Sequence, residues 1–286
     1  MATASDVRQK QMVIKKIVDA GALRSPELET FLSASRQHFA VITDYATVEM
    51  FYGDPQVNLR RSLQIISKFS AQAIILKSNA QIWKLVPRNS AGLQRRLQDD
   101  RKTRNFPNYC RALFGDADRS QRLSAGISEF GNSVQEAKER FTRLSVSIRA
   151  AIGELEGQFT PDDLRAIRAG KKPSLSFSEH ALKNIMGLTA LYFRDVVRAD
   201  PMPDSDQVLF SLPFRYVVCS YALSLKWVFE KGYAGASCEK LGNDYIDVTY
   251  SAYATIFDGL ITKDKKLREN YTTSSWILKT LFHIGQ

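Results

Sequence analysis

Four aspartates stand at positions where a protein could bind divalent cations. Asp244 and Asp247 are three residues apart, a spacing that places both carboxylates on one face of a helix. Asp264 follows the apolar run 259–262, and Asp44 follows a second apolar run near the N-terminus. Because ligands bind beyond the carboxyl ends of parallel strands, we expect the four carboxylates to converge there. Carboxylates are preferred ligands of Mg²⁺ and Mn²⁺, which can activate water and stabilise a phosphodiester during in-line attack.

Each aspartate also has a simpler structural explanation. Asp44 and Asp264 could cap the helices that follow them, and Asp244 could cap a helix that begins near Tyr245. Asp247 would then lie in the first turn, where the helix dipole favours a carboxylate. The combination of the four residues, rather than any one of them, favours a metal site.

The elements that must position these residues fall into two blocks. Strands are predicted at 38–44 and 72–77, with helices at 46–52 and 57–69 between them, which indicates a parallel βαβ unit. After residue 240 a helix at 243–256, a strand at 259–262 and helices at 265–283 are predicted. The intervening residues show only helical periods, at about 90–113, 119–155, 161–169, 177–198 and 206–234, with Pro107 and Pro213 expected to kink or restart their helices.

The predicted fold is α/β, a small parallel sheet flanked by helices and interrupted by a large all-helical insertion. Residues 1–37 are predicted to form two N-terminal helices, the second beginning at Pro26. Residues 38–78 and 241–286 form the split α/β core, and residues 79–240 form the insertion. The sheet therefore needs both ends of the chain.

Three segments of the chain resemble motifs of the PIN-domain nucleases. They are VITDYA at 41–46, NDYID at 243–247 with the helix after it, and LITKDKKL at 260–267. The resemblance implies that Asp44, Asp247 and Asp264 bind metal, with Asp244 as a fourth ligand, and that the fold is PIN-like. It also implies an Mg²⁺- or Mn²⁺-dependent ribonuclease, a class that includes toxins and RNA-processing enzymes.

The resemblance covers residues 39–77 and 241–285. A member of that family usually carries a further glutamate on a helix soon after the second strand, a place that the predicted helical insertion takes here. Glu49, Glu179 and Asp195 are candidates by residue type, and none stands in a matching motif.

The composition favours a polyanionic partner. The net charge is +10, and Lys263, Lys265, Lys266 and Arg268 flank Asp264, where they could neutralise substrate phosphates. The three cysteines have no metal-ligand spacing and are expected to be reduced thiols of a cytoplasmic protein. The N-terminus has no secretory signal pattern, and no apolar run is long enough to span a membrane.

The function predicted from these residues is metal-dependent endoribonuclease activity on RNA. A toxin or antiviral defence effector fits the layout, with the insertion receiving an antitoxin or another regulatory protein. Two alternatives stay open. One is a catalytically weak PIN-like scaffold whose insertion binds a protein or nucleic acid, and the other is a DNA nuclease similar to flap endonucleases.

Overall fold

The sheet of this protein has four strands, all parallel. The computed structural model describes residues 12–50, 54–85, 91–115, 148–168, 174–199, 203–230 and 232–284. The strands are β1 (Ile14–Val18), β2 (His38–Ile42), β3 (Ala73–Ile75) and β4 (Leu260–Ile261). Their order across the sheet is β3-β2-β1-β4. The mixed α/β class with a small parallel sheet is therefore confirmed, as are the three predicted strands.

The prediction of a helix at the start of the chain is wrong, because residues 14–18 form β1. This strand lies between β2 and β4, with Ile17 beside Val41 on one side and Leu260 on the other. Ile17 and Val18 are fully buried, and β-branched side chains of this kind pack well on a pleated surface. The N-terminal segment is thus the strand that joins the two ends of the chain.

Helices cover the sheet and form most of the remaining described structure. Those before residue 116 are α1 (Pro26–Ala34), α2 (Asp44–Glu49), α3 (Pro55–Lys68), α4 (Asn79–Trp83), α5 (Leu93–Leu97) and α6 (Asp100–Phe114). Those after it are α7 (148–157), α8 (Pro161–Arg168), α9 (Leu175–Tyr192), α10 (Ser205–Leu209), α11 (Leu212–Glu230), α12 (Cys238–Ala254) and α13 (Lys265–Leu281). Most of the predicted helix at 119–155 lies outside the described residues.

Local signals explain several helix boundaries. Helix α1 begins at Pro26 as predicted, and the Ser25 side chain accepts a hydrogen bond from the backbone N–H of Leu28. Pro213 is the second residue of α11, so the chain restarts a helix there after α10. Pro107 lies inside α6, which continues through it.

Helices α11, α12 and α13 pack together, and α12 also packs against β1 and β4. Most of α11 is buried, and Phe214 near its start meets Phe282 just after α13 edge to face, with ring centroids 4.9 Å apart. The last helix of the predicted insertion is therefore part of the same core as the sheet. None of the helices in the described ranges has the length and apolar character of a bilayer-crossing segment.

Candidate active site: an acidic cluster at the carboxyl edge of the sheet

Asp19 is the residue that directly follows β1, and it begins the cluster. Its carboxylate accepts a hydrogen bond of 2.9 Å from the Thr262 hydroxyl and one of 3.4 Å from the backbone N–H of Gly21. Burial raises the pKa of Asp19 above its ordinary value, and the nearby Asp264 carboxylate raises it further. The carboxyl group of Asp19 thus lies in the crevice beyond the ends of β1 and β4.

Thr262 connects Asp19 to Asp264. The Thr262 hydroxyl donates to Asp19 and accepts the backbone N–H of Asp264 at 3.0 Å. Asp264 also caps α13, because its Oδ1 accepts the backbone N–H groups of Lys266 and Leu267 at 2.6 and 3.0 Å. The cap explanation for Asp264 is therefore correct, and the cap also holds the side chain near Asp19.

The pKa of Asp247 is strongly raised. Its pKa is raised to about 8, mainly by burial and then by the neighbouring carboxylates of Glu49, Asp264, Asp19 and Asp244, in that order. All five of these influences disfavour the charged form. Four other carboxylates of the described residues therefore act on Asp247.

Asp244 and Asp247 lie inside α12 and not at its start. The helix begins at Cys238 and is capped by Ser237, whose side chain accepts the backbone N–H of Lys240. The predicted start near Tyr245 is wrong, and neither aspartate caps the helix or lies in its first turn. Burial raises the pKa of Asp244, while the ammonium groups of Lys266, Lys240 and Lys226 lower it.

Glu49 reaches the cluster from the end of α2. Its Oε1 accepts a hydrogen bond of 3.1 Å from the hydroxyl of Tyr250, a fully buried residue one turn after Asp247. Burial raises the pKa of Tyr250 well above its ordinary value, and Glu49, Asp19 and Asp247 all add to the shift. Tyr250 therefore stays protonated and can donate to a carboxylate in this crevice.

Asp44 is not brought into this cluster by the interactions that the structure gives it. Its Oδ2 accepts the backbone N–H of Asn79 at 2.6 Å, and its Oδ1 accepts that of Tyr45 at 3.0 Å. Burial raises its pKa, and the hydrogen bonds and Lys102 oppose that shift. Its two oxygens thus join the start of α2 to the first residue of α4.

Two of the residues at this site were missed or left undecided by sequence reasoning. Asp19 was missed because the pattern of residues 13–18 also fits a helix; their four Val and Ile residues and the Asp-Ala-Gly after them were the available signal. Once β1 is counted, β2 is the second strand and Glu49 lies on the helix directly after it. That is where the resemblance expects its additional glutamate. Of the other candidates by type, Glu179 is exposed on α9, and Asp195 is exposed in an ion pair with Arg194.

The predicted basic residues lie around the start of α13. Lys263, Lys265, Lys266 and Arg268 are all exposed. The Arg268 guanidinium donates to the carbonyl oxygen of Thr262, and Lys265 lies 3.8 Å from Glu269. Their positions leave positive charge at the rim of the acidic crevice.

The donor set fits a hard divalent cation by its chemistry. The acidic side chains offer only oxygen ligands, and Asp247 is crowded by like charges that a cation would neutralise. As the side chains are placed, no three His, Cys, Asp or Glu residues in the described ranges form a group that could hold a metal ion. The fit therefore rests on ligand type and electrostatics. The three cysteines are free.

Comparison with known proteins gives no relative. No family model, no curated protein sequence and no solved structure matches the chain. The class that the described residues support directly is an α/β protein with an acidic cluster at the carboxyl edge of a parallel sheet.

Proposed function

We propose that this protein is a metal-dependent nuclease with a PIN-like fold that hydrolyses RNA. The observation that carries the proposal is the raised pKa of Asp247, about 8, inside a cluster of four other carboxylates. Buried carboxylates that crowd one another destabilise a fold unless a counter-charge is bound, and strongly perturbed groups in a crevice are typical of functional sites.

Each residue of the cluster has a role in this proposal. Asp19, Glu49, Asp247 and Asp264 would hold Mg²⁺ or Mn²⁺, and Asp244 would bind the ion or orient the attacking water. A bound ion supplies Lewis acidity at the phosphate and lowers the pKa of water. The Tyr250 hydroxyl orients Glu49 through its hydrogen bond. Asp44 is left out of the set, because it is not among the carboxylates that raise the pKa of Asp247, and its two oxygens accept the backbone N–H groups of Tyr45 and Asn79.

RNA is the proposed substrate because the motif resemblance implies ribonucleases. The exposed cations Lys263, Lys265, Lys266 and Arg268 support a nucleic acid partner, since they lie beside Asp264 and could contact phosphates. A role as a toxin or defence effector, with a regulatory protein or antitoxin bound at the helical residues 79–240, remains part of the proposal.

Cleavage of matched RNA and DNA oligonucleotides tests the proposal. Single-stranded and duplex forms of each are incubated with the full chain and Mg²⁺, Mn²⁺ or EDTA. We expect cleavage of RNA that needs the metal and is lost in Asp264→Asn, a variant that keeps the helix cap because Asn caps about as well as Asp.

The matched control is Asp258→Asn. Asp258 lies at the opposite edge of the sheet, where its carboxylate accepts the backbone N–H of Lys15 at 2.7 Å. The Asp258→Asn variant should cleave RNA like the wild type. Metal-dependent cleavage of DNA alone would mean that the substrate is DNA and that the proposed metal site is still correct. No cleavage under any condition would favour the alternative of a binding scaffold.

A further inference from the structure

The chain between α5 and α6 is held at the carboxyl end of β3. The backbone N–H of Lys77, two residues after β3, donates to the Leu97 carbonyl oxygen at 2.9 Å. The backbone N–H of Asp99 donates to the Ile75 carbonyl oxygen at 2.9 Å. The Lys77 ammonium also donates to the carbonyl oxygen of Arg96 at 2.7 Å. These bonds place the segment at the same edge of the sheet as the acidic cluster, with the end of β2 between β3 and β1.

The same segment lines an open groove with a volume of about 700 Å³, here called the basic groove. Arg95 and Arg101 are exposed, and within the described ranges neither forms a salt bridge. Asp99 is already engaged, because it caps α6 at the backbone N–H of Lys102 and lies 3.8 Å from the Lys102 ammonium. The cations of the groove outnumber its carboxylates by four to two. These charged residues are Lys77, Arg95, Arg96, Arg101, Asp99 and Asp100.

Two further cations, Lys102 and Arg104, extend the positive charge along the first turns of α6. Both side chains are exposed, and the Arg104 Nε donates to the carbonyl oxygen of Asp100 at 3.2 Å. Burial raises the pKa of Asp44, and the Lys102 ammonium opposes that shift. Lys102 therefore lies within electrostatic range of the end of β2, which separates the basic groove from the acidic cluster.

Cations thus lie on both sides of the acidic cluster along one edge of the sheet. Lys263, Lys265, Lys266 and Arg268 follow β4, and the basic groove follows β3 at the other end of the strand order. Neighbouring strands are about 4.8 Å apart, so the ends of β1 and β3 are separated by roughly 10 Å. A polyanionic chain that crosses this edge would meet positive charge, the acidic cluster and positive charge again.

We propose that the basic groove binds backbone phosphates of the substrate RNA strand on the β3 side of the scissile bond. A nucleic acid strand carries a phosphate at every nucleotide, so one strand can contact the groove and the cations after β4 together. Arg95 and Arg101 suit this role, because a planar guanidinium can donate two parallel hydrogen bonds to one phosphate. The inference rests on the proposed function, since it requires the strand to cross the acidic cluster.

The test is the binding of a labelled single-stranded oligouridylate to the full chain, measured by fluorescence anisotropy in EDTA over a series of salt concentrations. The double variant Arg95→Gln/Arg101→Gln should weaken binding about tenfold, since it removes two charge-assisted phosphate contacts. It should also lower the slope of log Kd against log salt concentration by about 1.4, because each contact to a single strand contributes about 0.7. The variant Arg95→Lys/Arg101→Lys keeps both charges and should keep the wild-type slope.

Arg36→Gln is the matched control, because Arg36 is exposed in the turn before β2, at the opposite edge of the sheet. This variant should bind RNA like the wild type. No RNA binding by the wild type, or unchanged binding and slope in Arg95→Gln/Arg101→Gln, would overturn the inference. So would a loss in that variant of polyglutamate binding alone, which would indicate an acidic protein as the partner.

Cleavage by the same preparations with Mg²⁺ separates failure of the groove from failure of the proposed function. Arg95→Gln/Arg101→Gln should raise KM and leave kcat within a few-fold of the wild type, as loss of uniform substrate binding does. Metal-dependent cleavage with an unchanged KM in this variant removes only the groove. Weakened RNA binding in this variant, without cleavage by the wild type, removes the nuclease proposal and keeps the groove as an RNA-binding surface.

Discussion

Asp19 and Asp44 each lie just beyond a buried parallel strand, and the two strands are neighbours in the sheet. Beyond β1, Asp19 accepts a hydrogen bond from the Thr262 hydroxyl, and the same hydroxyl accepts the backbone N–H of Asp264. Beyond β2, Asp44 meets the backbone N–H of Asn79 at 2.6 Å. Both aspartates accept two hydrogen bonds, and burial raises the pKa of both; the Asp264 carboxylate raises that of Asp19 further, whereas Lys102 lowers that of Asp44.

The difference comes from the segment that leaves the adjacent strand on each side. After β4, the Thr-Lys-Asp segment ends in a carboxylate that caps α13 close to Asp19. After β3, the chain turns at Ser78 and presents the backbone N–H of Asn79 to Asp44. Asp44 is therefore held by backbone donors with a cation, Lys102, as its charged neighbour, whereas Asp19 has a carboxylate, Asp264, as its charged neighbour.

The largest expected effect is on catalysis. Asp19→Asn should lower the RNA cleavage rate with Mg²⁺ or Mn²⁺ by roughly a hundredfold or more, because it removes a charged ligand of the proposed ion. Asp44→Asn should stay within a few-fold of the wild type for each folded molecule. Rates are compared at equal concentrations of folded protein, and equal losses in the two variants would break the contrast between the strand ends.

A second prediction concerns the pH dependence of stability without metal. The pKa of Asp247 is about 8 in the folded protein, and a carboxyl of this type titrates near 4 when unfolded. Between those values the folded state keeps a proton that the unfolded chain has lost, so the free energy of unfolding falls as the pH rises from about 4 to 8. A decrease of roughly 5 kcal/mol is expected, since a difference of one in pKa corresponds to about 1.4 kcal/mol.

Chemical denaturation at several pH values in EDTA measures this decrease. Asp247→Asn should remove most of it, and Mn²⁺ should offset it in the wild type by binding the charged form. Asp258→Asn, at the opposite edge of the sheet, should keep the wild-type profile. A flat profile in the wild type would mean that the carboxylates do not crowd Asp247.

The third prediction contrasts the stabilities of the same two strand-end variants. Asn has one carbonyl oxygen, so Asp44→Asn leaves either the N–H of Asn79 or that of Tyr45 without its acceptor. The free energy of unfolding should fall by about 1–3 kcal/mol. Asp19→Asn removes a buried charge and should stay within about 1 kcal/mol of the wild type. Thermal or urea denaturation at neutral pH distinguishes these results, and a greater loss in Asp19→Asn would contradict them.

The smallest effect is expected from two threonines, Thr262 after β4, which donates to Asp19, and Thr43 after β2, which precedes Asp44. Thr262→Val removes the hydroxyl that holds Asp19 and should lower cleavage about tenfold, as loss of a positioning residue behind a metal ligand does. Thr43→Val removes an acceptor for the backbone N–H of Ala46. It should lower stability by about 1 kcal/mol and leave cleavage by the folded protein unchanged. A loss of cleavage in Thr43→Val and not in Thr262→Val would contradict the positioning role of Thr262 and the purely structural role of Thr43.

Much of the sheet could be predicted from the sequence, whereas its central strand could not. The apolar runs at 38–44, 72–77 and 259–262 have the length and composition of buried strands, and the structure confirms them. In β1, Lys15 and Lys16 sit between the apolar pairs, and this spacing also fits an amphipathic helix. Pairing with β2 and β4 decides between the two, and such long-range contacts are not encoded in a local pattern.

The acidic site was predictable in part for the same reason. Asp247, Asp244 and Asp264 come from local motifs, and the structure places them together. Asp44 was assigned from its position after a strand, but the Asn79 backbone that satisfies it lies 35 residues away in sequence. Glu49 could not be chosen from a local motif, since Tyr250, which donates to it, lies 201 residues away in sequence.

Binding of Mn²⁺ to the wild type, Asp19→Asn and Asp44→Asn, measured by calorimetry at pH 7 without substrate, tests the central claim most directly. Asp19→Asn should weaken Mn²⁺ binding at least tenfold, as loss of a carboxylate ligand should. Asp44→Asn should bind Mn²⁺ like the wild type. Normal binding by Asp19→Asn together with loss in Asp44→Asn, or no binding by the wild type, would contradict it.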